Sequence, residues 1–238
     1  MNCFENIVDP DTSINLKREE ELSCFDNSDY FYDVPVPTSE TVLMDKRIDL
    51  RLFCALLLVS NHFSINKTKD DHRYLYDNKL QEVMPYIANV LGVTKKTVMT
   101  NFTKLILSET GLVKPEKKGK QYYKLYSKDA LGKNYVLINN LTLETLVKNH
   151  KSIDIKVYCV LKFLLHNDED RNITQQWIAE KLGYSRNSRN MIAKSLDRLQ
   201  DSGLISIESK FIVDRTWIDN ESSFTTNMYT LNFYKLTS

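Results

Sequence analysis

Glycine is scarce in this sequence, with six residues among 238: Gly92, Gly111, Gly119, Gly132, Gly183 and Gly203. No two fall at the spacing of a dinucleotide fingerprint or a phosphate-cradling loop, and Gly119-Lys120 and Gly132-Lys133 both lack the upstream glycine of a P-loop. Nucleotide-fuelled chemistry therefore finds no support. The four histidines (His62, His72, His150, His166) form no HExxH pair, which removes the zinc-protease signature. The four cysteines (Cys3, Cys24, Cys54, Cys159) lie far apart with no CxxC pair. That pattern suits neither a zinc knuckle nor a secreted disulfide scaffold, and a reducing cytoplasm is the expected setting. Long apolar runs are missing as well. The longest, Leu52 to Val59, has eight residues, far below the roughly 20 of a membrane span. The first residues, MNCFENIVDPD, are acidic where a signal peptide would be basic and then apolar. A cytoplasmic protein with no membrane partner is expected.

What is present is an ordinary globular balance, 42% apolar and 26% charged, at a length that suits one large domain or two small ones. The net charge of +1 conceals an asymmetry. Residues 1–45 carry eleven acidic against two basic side chains, a net of −9, while residues 46–238 carry thirty basic against twenty acidic, a net of +10. A basic body is the electrostatic footprint of a polyanion binder. Residues 1–29 read as an acidic, solvated leader; a sharper reading makes them a competitor with DNA for the basic surface.

Internal repetition sets the expected architecture. Ile48-Asp49-Leu50-Arg51-Leu52-Phe53-Cys54-Ala55-Leu56 recurs as Ile153-Asp154-Ile155-Lys156-Val157-Tyr158-Cys159-Val160-Leu161. Upstream, Thr38-Ser39-Glu40-Thr41-Val42-Leu43 returns as Thr142-Leu143-Glu144-Thr145-Leu146-Val147. Downstream, Ile87-Ala88-Asn89-Val90-Leu91-Gly92 returns as Ile178-Ala179-Glu180-Lys181-Leu182-Gly183, and Gly111-Leu112-Val113 as Gly203-Leu204-Ile205. The offset shrinks from about 105 to 91, so the first copy holds a longer insert, roughly residues 62–80. Two homologous domains are expected, over 30–130 and 131–238, in an α+β, mostly helical fold.

Each copy reads as helix, helix, tight turn, helix, hairpin. The first helix is apolar nearly all round, which places it in the centre and makes Cys54 and Cys159 core residues rather than nucleophiles. Gly92 and Gly183 supply left-handed C-caps before the turn. Thr94 then caps a helix whose apolar stripe is Val98, Phe102, Leu105 and Ile106. In the second copy Ile192, Leu196 and Leu199 repeat the spacing, with Ser188 as the matching cap and Ser185 as the alternative. Leu112-Val113 starts the first hairpin and Gln121 to Tyr126 returns it, with Glu116 to Lys120 between. In the second hairpin, Ile205, Ile207, Phe211 and Val213 face Phe224 to Tyr234 across an acidic tip carrying Asp214, Asp219 and Glu221.

The run IAEKLGYSRNSRNMIAKSLDRLQDSGLI resembles the helix-turn-helix and first wing strand of bacterial winged-helix proteins, and IANVLGVTKKTVMTNFTKLILSETGLV is similar but looser. Two winged helices in a chain of this size resemble the replication initiators of plasmids and phages, and a doubled transcription regulator fits almost as well. The resemblance implies sequence-specific binding of double-stranded DNA. A further reading is a winged-helix module that docks proteins. Partners admitted by these readings are duplex DNA, a second copy of the chain, and replication or transcription machinery.

The residues support DNA independently of that resemblance. A helix with a polar, basic first turn after a sharp bend can enter the roughly 12 Å major groove and reach base edges. Lys95, Lys96 and Asn101 sit opposite the first apolar stripe. Arg189, Asn190 and Lys194 sit opposite the second, with Arg186 in the turn before it. Arginine pairs bidentately with guanine and asparagine with adenine, so Arg189 and Asn190 are the best base readers. Lys117, Lys118 and Lys120, with Lys114 and Lys124, make the first hairpin lysine-dense, and a flexible ammonium suits phosphates better than bases. No nucleophile, base and orienter emerge from spacing, and a tyrosine-based DNA nicking function would need a histidine cluster that is missing. No enzyme, cofactor or metal is expected.

Overall fold

The computed structural model describes residues 33–62, 72–118, 120–127, 134–165, 173–214 and 222–232. The acidic leader, the expected domain boundary at 130/131, Gly119, Gly132 and the tip acids Asp219 and Glu221 lie outside the described residues.

The first half runs β1 (Asp33–Pro37), α1 (Glu40–Met44), α2 (Leu50–Val59), β2 (Asn61–His62), β3 (His72–Tyr76), α3 (Asp77–Leu91), α4 (Lys95–Leu107), β4 (Val113–Lys118) and β5 (Lys120–Ser127). The second half runs β6 (Tyr135–Asn139), α5 (Asn140–Asn149), α6 (Ser152–Leu165), α7 (Gln175–Lys181), a 3-10 turn (Arg186–Ser188), α8 (Arg189–Asp201), β7 (Ile205–Asp214) and β8 (Ser222–Leu231). The fold is α+β and mostly helical, with small antiparallel sheets ordered β1-β6, β2-β3-β5-β4 and β7-β8.

Local chemistry sets the helix ends. Side chains of Asp49, Thr94, Asn139 and Thr174 accept from backbone N–H groups of the first turns of α2, α4, α5 and α7, satisfying donors a helix start leaves open. Gly183, at φ 69°, follows α7 in the left-handed region, where a side chain would also crowd Met44, whose Cβ would stand 3.1 Å away. Ser188 is the residue before α8 and Ser185 precedes the 3-10 turn, but neither side chain caps as expected: their hydroxyls pair with each other at 3.3 Å and reach no helix-start N–H. The longer second turn thus becomes an extra helical loop.

Helices α2 and α6 form the centre and pack on each other. Leu50, Leu52, Phe53, Cys54, Ala55, Leu56 and Leu57 are buried in α2, and Ile155, Val157, Tyr158, Cys159, Val160 and Leu161 in α6. Burial pushes the Cys159 thiol up to about 12 and Cys54 well above its ordinary value. Both stay protonated, in keeping with core roles.

The two halves are joined through matched positions. In the β1–β6 pair Pro35 lies opposite Leu137, with Val34 opposite Ile138 and Val36 opposite Val136. From α2, Arg51 donates to the carbonyls of Val147 (2.7 Å) and Lys148 (3.0 Å) at the end of α5, and to those of Leu91 (3.0 Å) and Val90 (3.3 Å) at the end of α3. From α6, Lys156 donates to the carbonyls of Leu43 (3.1 Å) and Asp45 (2.8 Å) at the end of α1. A cation at a helix C-terminus satisfies open carbonyls and meets the negative end of the helix dipole.

Lys156 pays for this position in proton affinity. Burial pushes its pKa from 10.5 down to about 8, against the opposing pull of Asp45 and Asp49. Because the folded value lies below the unfolded one, the unfolded chain holds the extra proton between about pH 8 and 10.5. Stability contributed at this site therefore rises with pH across that window, by at most about 1.4 kcal/mol per pH unit, and is flat below it. Urea midpoints of wild type and Lys156→Met should diverge in favour of wild type as pH rises from 8 to 10.5. Parallel curves would rule the shift out.

Four features differ from the sequence-based expectation. Each half has four helices among the described residues rather than three, because the Ser39 and Asn139 regions each start a helix after a short strand. The expected insert contributes β3 and the start of α3, so the first hairpin grows into a four-stranded sheet. That hairpin's strands extend to Lys118 and restart at Lys120, replacing the expected five-residue connection. Pro115 is tolerated because β4 is the sheet edge. The second hairpin returns over Ser222–Leu231, with Ile205 opposite Leu231.

Candidate nucleic-acid interface

Helix α4 packs on α3, α2 and β4, and α8 packs on α7, α6 and β7, so the two are seated alike. Val98, Phe102 and Leu105 are buried beneath α4, and Ile192, Leu196 and Leu199 beneath α8. This fixes which side of each helix looks outward. Lys95 and Lys96 are exposed on the first turn of α4, and Arg189, Asn190 and Lys194 are exposed on α8. Arg186 lies in the 3-10 turn before α8, and its side chain is outside the described set.

Asn101 does not share that outward side. It is half-buried, and its amide nitrogen donates to the Asp49 carboxylate at 3.1 Å. The same Asp49 accepts from the Leu52 N–H at the start of α2. An acid at the head of the central helix thus holds the basic helix in place.

The second half builds a larger version on Asp154, which is fully buried. Its carboxylate accepts from Arg198 through Nε (2.9 Å) and Nη2 (2.5 Å), from the Ser195 hydroxyl (2.7 Å) and from the Lys151 N–H (3.0 Å). The buried His150 Nδ1 lies 3.8 Å away. Burial alone would raise the carboxyl's pKa, but His150, Arg198, Ser195 and the Lys151 N–H outweigh it and hold the group well below the usual carboxylate range. In the repeat, Asp49 matches Asp154, Asn101 matches Ser195 and Lys104 matches Arg198.

On the first hairpin Lys117 and Lys120 are exposed; the backbone of Lys118 pairs with Lys120, and its side chain is outside the described set. The sheet has two unlike faces. One carries Val113, Arg73, Leu75 and Leu125, all buried, and Tyr123, which donates to Asp77 of α3 at 3.1 Å and meets Phe102 edge-on. The other carries Tyr74, Tyr76 and Tyr122, partly exposed and in mutual edge-to-face contact at 5.3 to 6.4 Å between centroids. Tyr122 lies in the expected return strand of the first hairpin, but its partners Tyr74 and Tyr76 fall in the assumed insert, so the face they form together is not apparent from the repeat. The alternation Tyr74-Leu75-Tyr76 was the available signal.

No protein-family model matches the chain, and no curated protein matches its sequence. Among the described residues no cluster of three or more His, Cys, Asp or Glu side chains could hold a metal ion, and no helix is long and apolar enough to cross a membrane.

Proposed function

We propose that this chain binds double-stranded DNA sequence-specifically through two tandem winged helix-turn-helix modules, as a replication initiator of a plasmid or phage, and that it acts by binding rather than catalysis. The observation that carries this reading is one device occurring twice. In each half a helix ends at a left-handed glycine, the chain turns, and a helix with an exposed basic or base-pairing first turn follows, backed by a buried stripe and an anchoring acid. A hairpin follows each. Such a helix suits the major groove, and the lysines of the first hairpin suit phosphates.

The matched contacts between the halves support a duplication arranged about a local twofold. Arg51 reaches Val147 and Lys156 reaches Leu43, which are counterparts in the repeat, and Pro35 faces Leu137. Reciprocal contacts of this kind are what a twofold relation produces. The target should then hold two half-sites in opposed orientation, one for α4 and one for α8. Footprinting on DNA upstream of the chain's own reading frame, with a scrambled duplex as control, tests this. Two protected stretches on one site are expected; equal affinity for scrambled DNA would overturn it.

A further inference from the structure

The outward face of the four-stranded sheet combines rings and positive charge in a way that duplex recognition by α4 and α8 does not use. Strand alternation places Tyr74 and Tyr76 of β3 on one face with Tyr122, Lys120 and Lys124 of β5 and Lys114 of β4. The register puts Tyr76 beside Tyr122, and Tyr74 beside Lys124, which in turn faces Lys114. The opposite face is taken up by the core and by the helices α3 and α4, so the tyrosines are not there to close the core. Glu116, the described acid on this face, accepts from the Tyr122 hydroxyl at 2.6 Å and so steadies that ring.

We propose that this face binds single-stranded DNA, with Tyr76 and Tyr122 stacking on unpaired bases and Lys114, Lys120 and Lys124 facing the phosphates. Bases in a duplex have their flat faces covered by their neighbours, so a sheet of tyrosines has nothing to stack on there. An unpaired strand offers every base face, and a basic surface with interleaved aromatics is the sequence-tolerant solution to binding it. Lysine complements the backbone as a mobile point charge, without reading bases. The surface rests on the DNA reading above only in the choice of DNA over RNA. Its tyrosines are independent of α4 and α8, while its lysines belong to the hairpin that also suits duplex phosphates.

The test uses the full chain and a fluorescein-labelled dT15 oligonucleotide, read by anisotropy at several salt concentrations, beside the footprinted duplex. Wild type should bind dT15, and Tyr76→Ala or Tyr122→Ala should weaken it about tenfold or more while leaving duplex affinity within about twofold. Tyr122→Phe keeps the ring and should retain binding, which separates stacking from a folding defect. Glu116→Gln removes the adverse charge that the described residues place on this face and should tighten dT15. Conversely, Arg189→Ala should weaken the duplex and leave dT15 unchanged. Absence of dT15 binding, alanine variants that bind like wild type, equal losses on duplex and dT15, or tighter binding of rU15 than dT15 would each overturn the proposal. Failure to find any preferred duplex would overturn the winged-helix reading while leaving a tyrosine-dependent dT15 signal standing.

Discussion

Replacing Asp154 with alanine should destabilise the protein by about 2–4 kcal/mol, because the buried Ser195 hydroxyl loses its charged acceptor and the half-buried Arg198 its carboxylate. The carboxylate ties three pieces of the second half together: the start of α6, through the Lys151 N–H, and two successive turns of α8, through Ser195 and Arg198. Without it the fully buried Ser195 hydroxyl loses its acceptor and Arg198 loses both bonds of its fork. The pH dependence carries the same information. The folded carboxyl titrates below its unfolded value of about 3.8, so its stabilisation is complete above that value and is lost as pH falls below it. Acid unfolding of wild type should therefore be steeper than that of Asp154→Ala. Asp49→Ala provides the comparison. It removes one helix cap and one amide contact, and should cost about 1–2 kcal/mol. Urea midpoints at neutral pH would decide the matter, and a loss under about 1 kcal/mol for Asp154→Ala would show that the cluster is solvated rather than structural.

Asp49 and Asp154 also show where sequence reading succeeded and where it stopped. Their matched place in two nearly apolar helices was visible, as were the glycine caps, the stripes under α4 and α8 and the core cysteines. All of these depend on neighbours within a few turns of chain. Partners far along the chain were not visible. Pro35 and Pro37 give Asp33–Pro37 no strand signal of its own, and only pairing with Tyr135–Asn139 makes it a strand. Asn101 lies opposite the apolar stripe in projection, yet its short side chain reaches sideways to Asp49. A helical wheel gives direction but not the acid waiting there. Arg51 and Lys156 occupy matched places in the repeat, and each meets helix ends of the other half, partners about a hundred residues away along the chain. Tyr74 and Tyr76 of the tyrosine face are hidden for a related reason, since an insert has no counterpart in the repeat to call attention to it.

Two exposed side chains that differ in kind, Arg189 and Lys117, separate base reading from phosphate contact. Arg189 is exposed on the first turn of α8, and its planar guanidinium can pair with a guanine through two parallel hydrogen bonds. Lys117 is exposed on the first hairpin and offers a single mobile charge. Arg189→Ala should cost roughly 1–3 kcal/mol on the preferred duplex and relax discrimination at one base pair. Lys117→Ala should weaken preferred and scrambled duplexes by similar factors and reduce the slope of log affinity against log salt by about one. Asn101→Ala is the internal control. With its amide bonded to Asp49, it should lower thermal stability and leave base discrimination unchanged. Titrations at several salt concentrations against both duplexes separate the three. If Arg189→Ala only mimics Lys117→Ala, α8 contacts the backbone and reads no sequence. If neither variant changes duplex affinity, the basic first turns serve a protein partner, and the two halves are better understood as a docking platform.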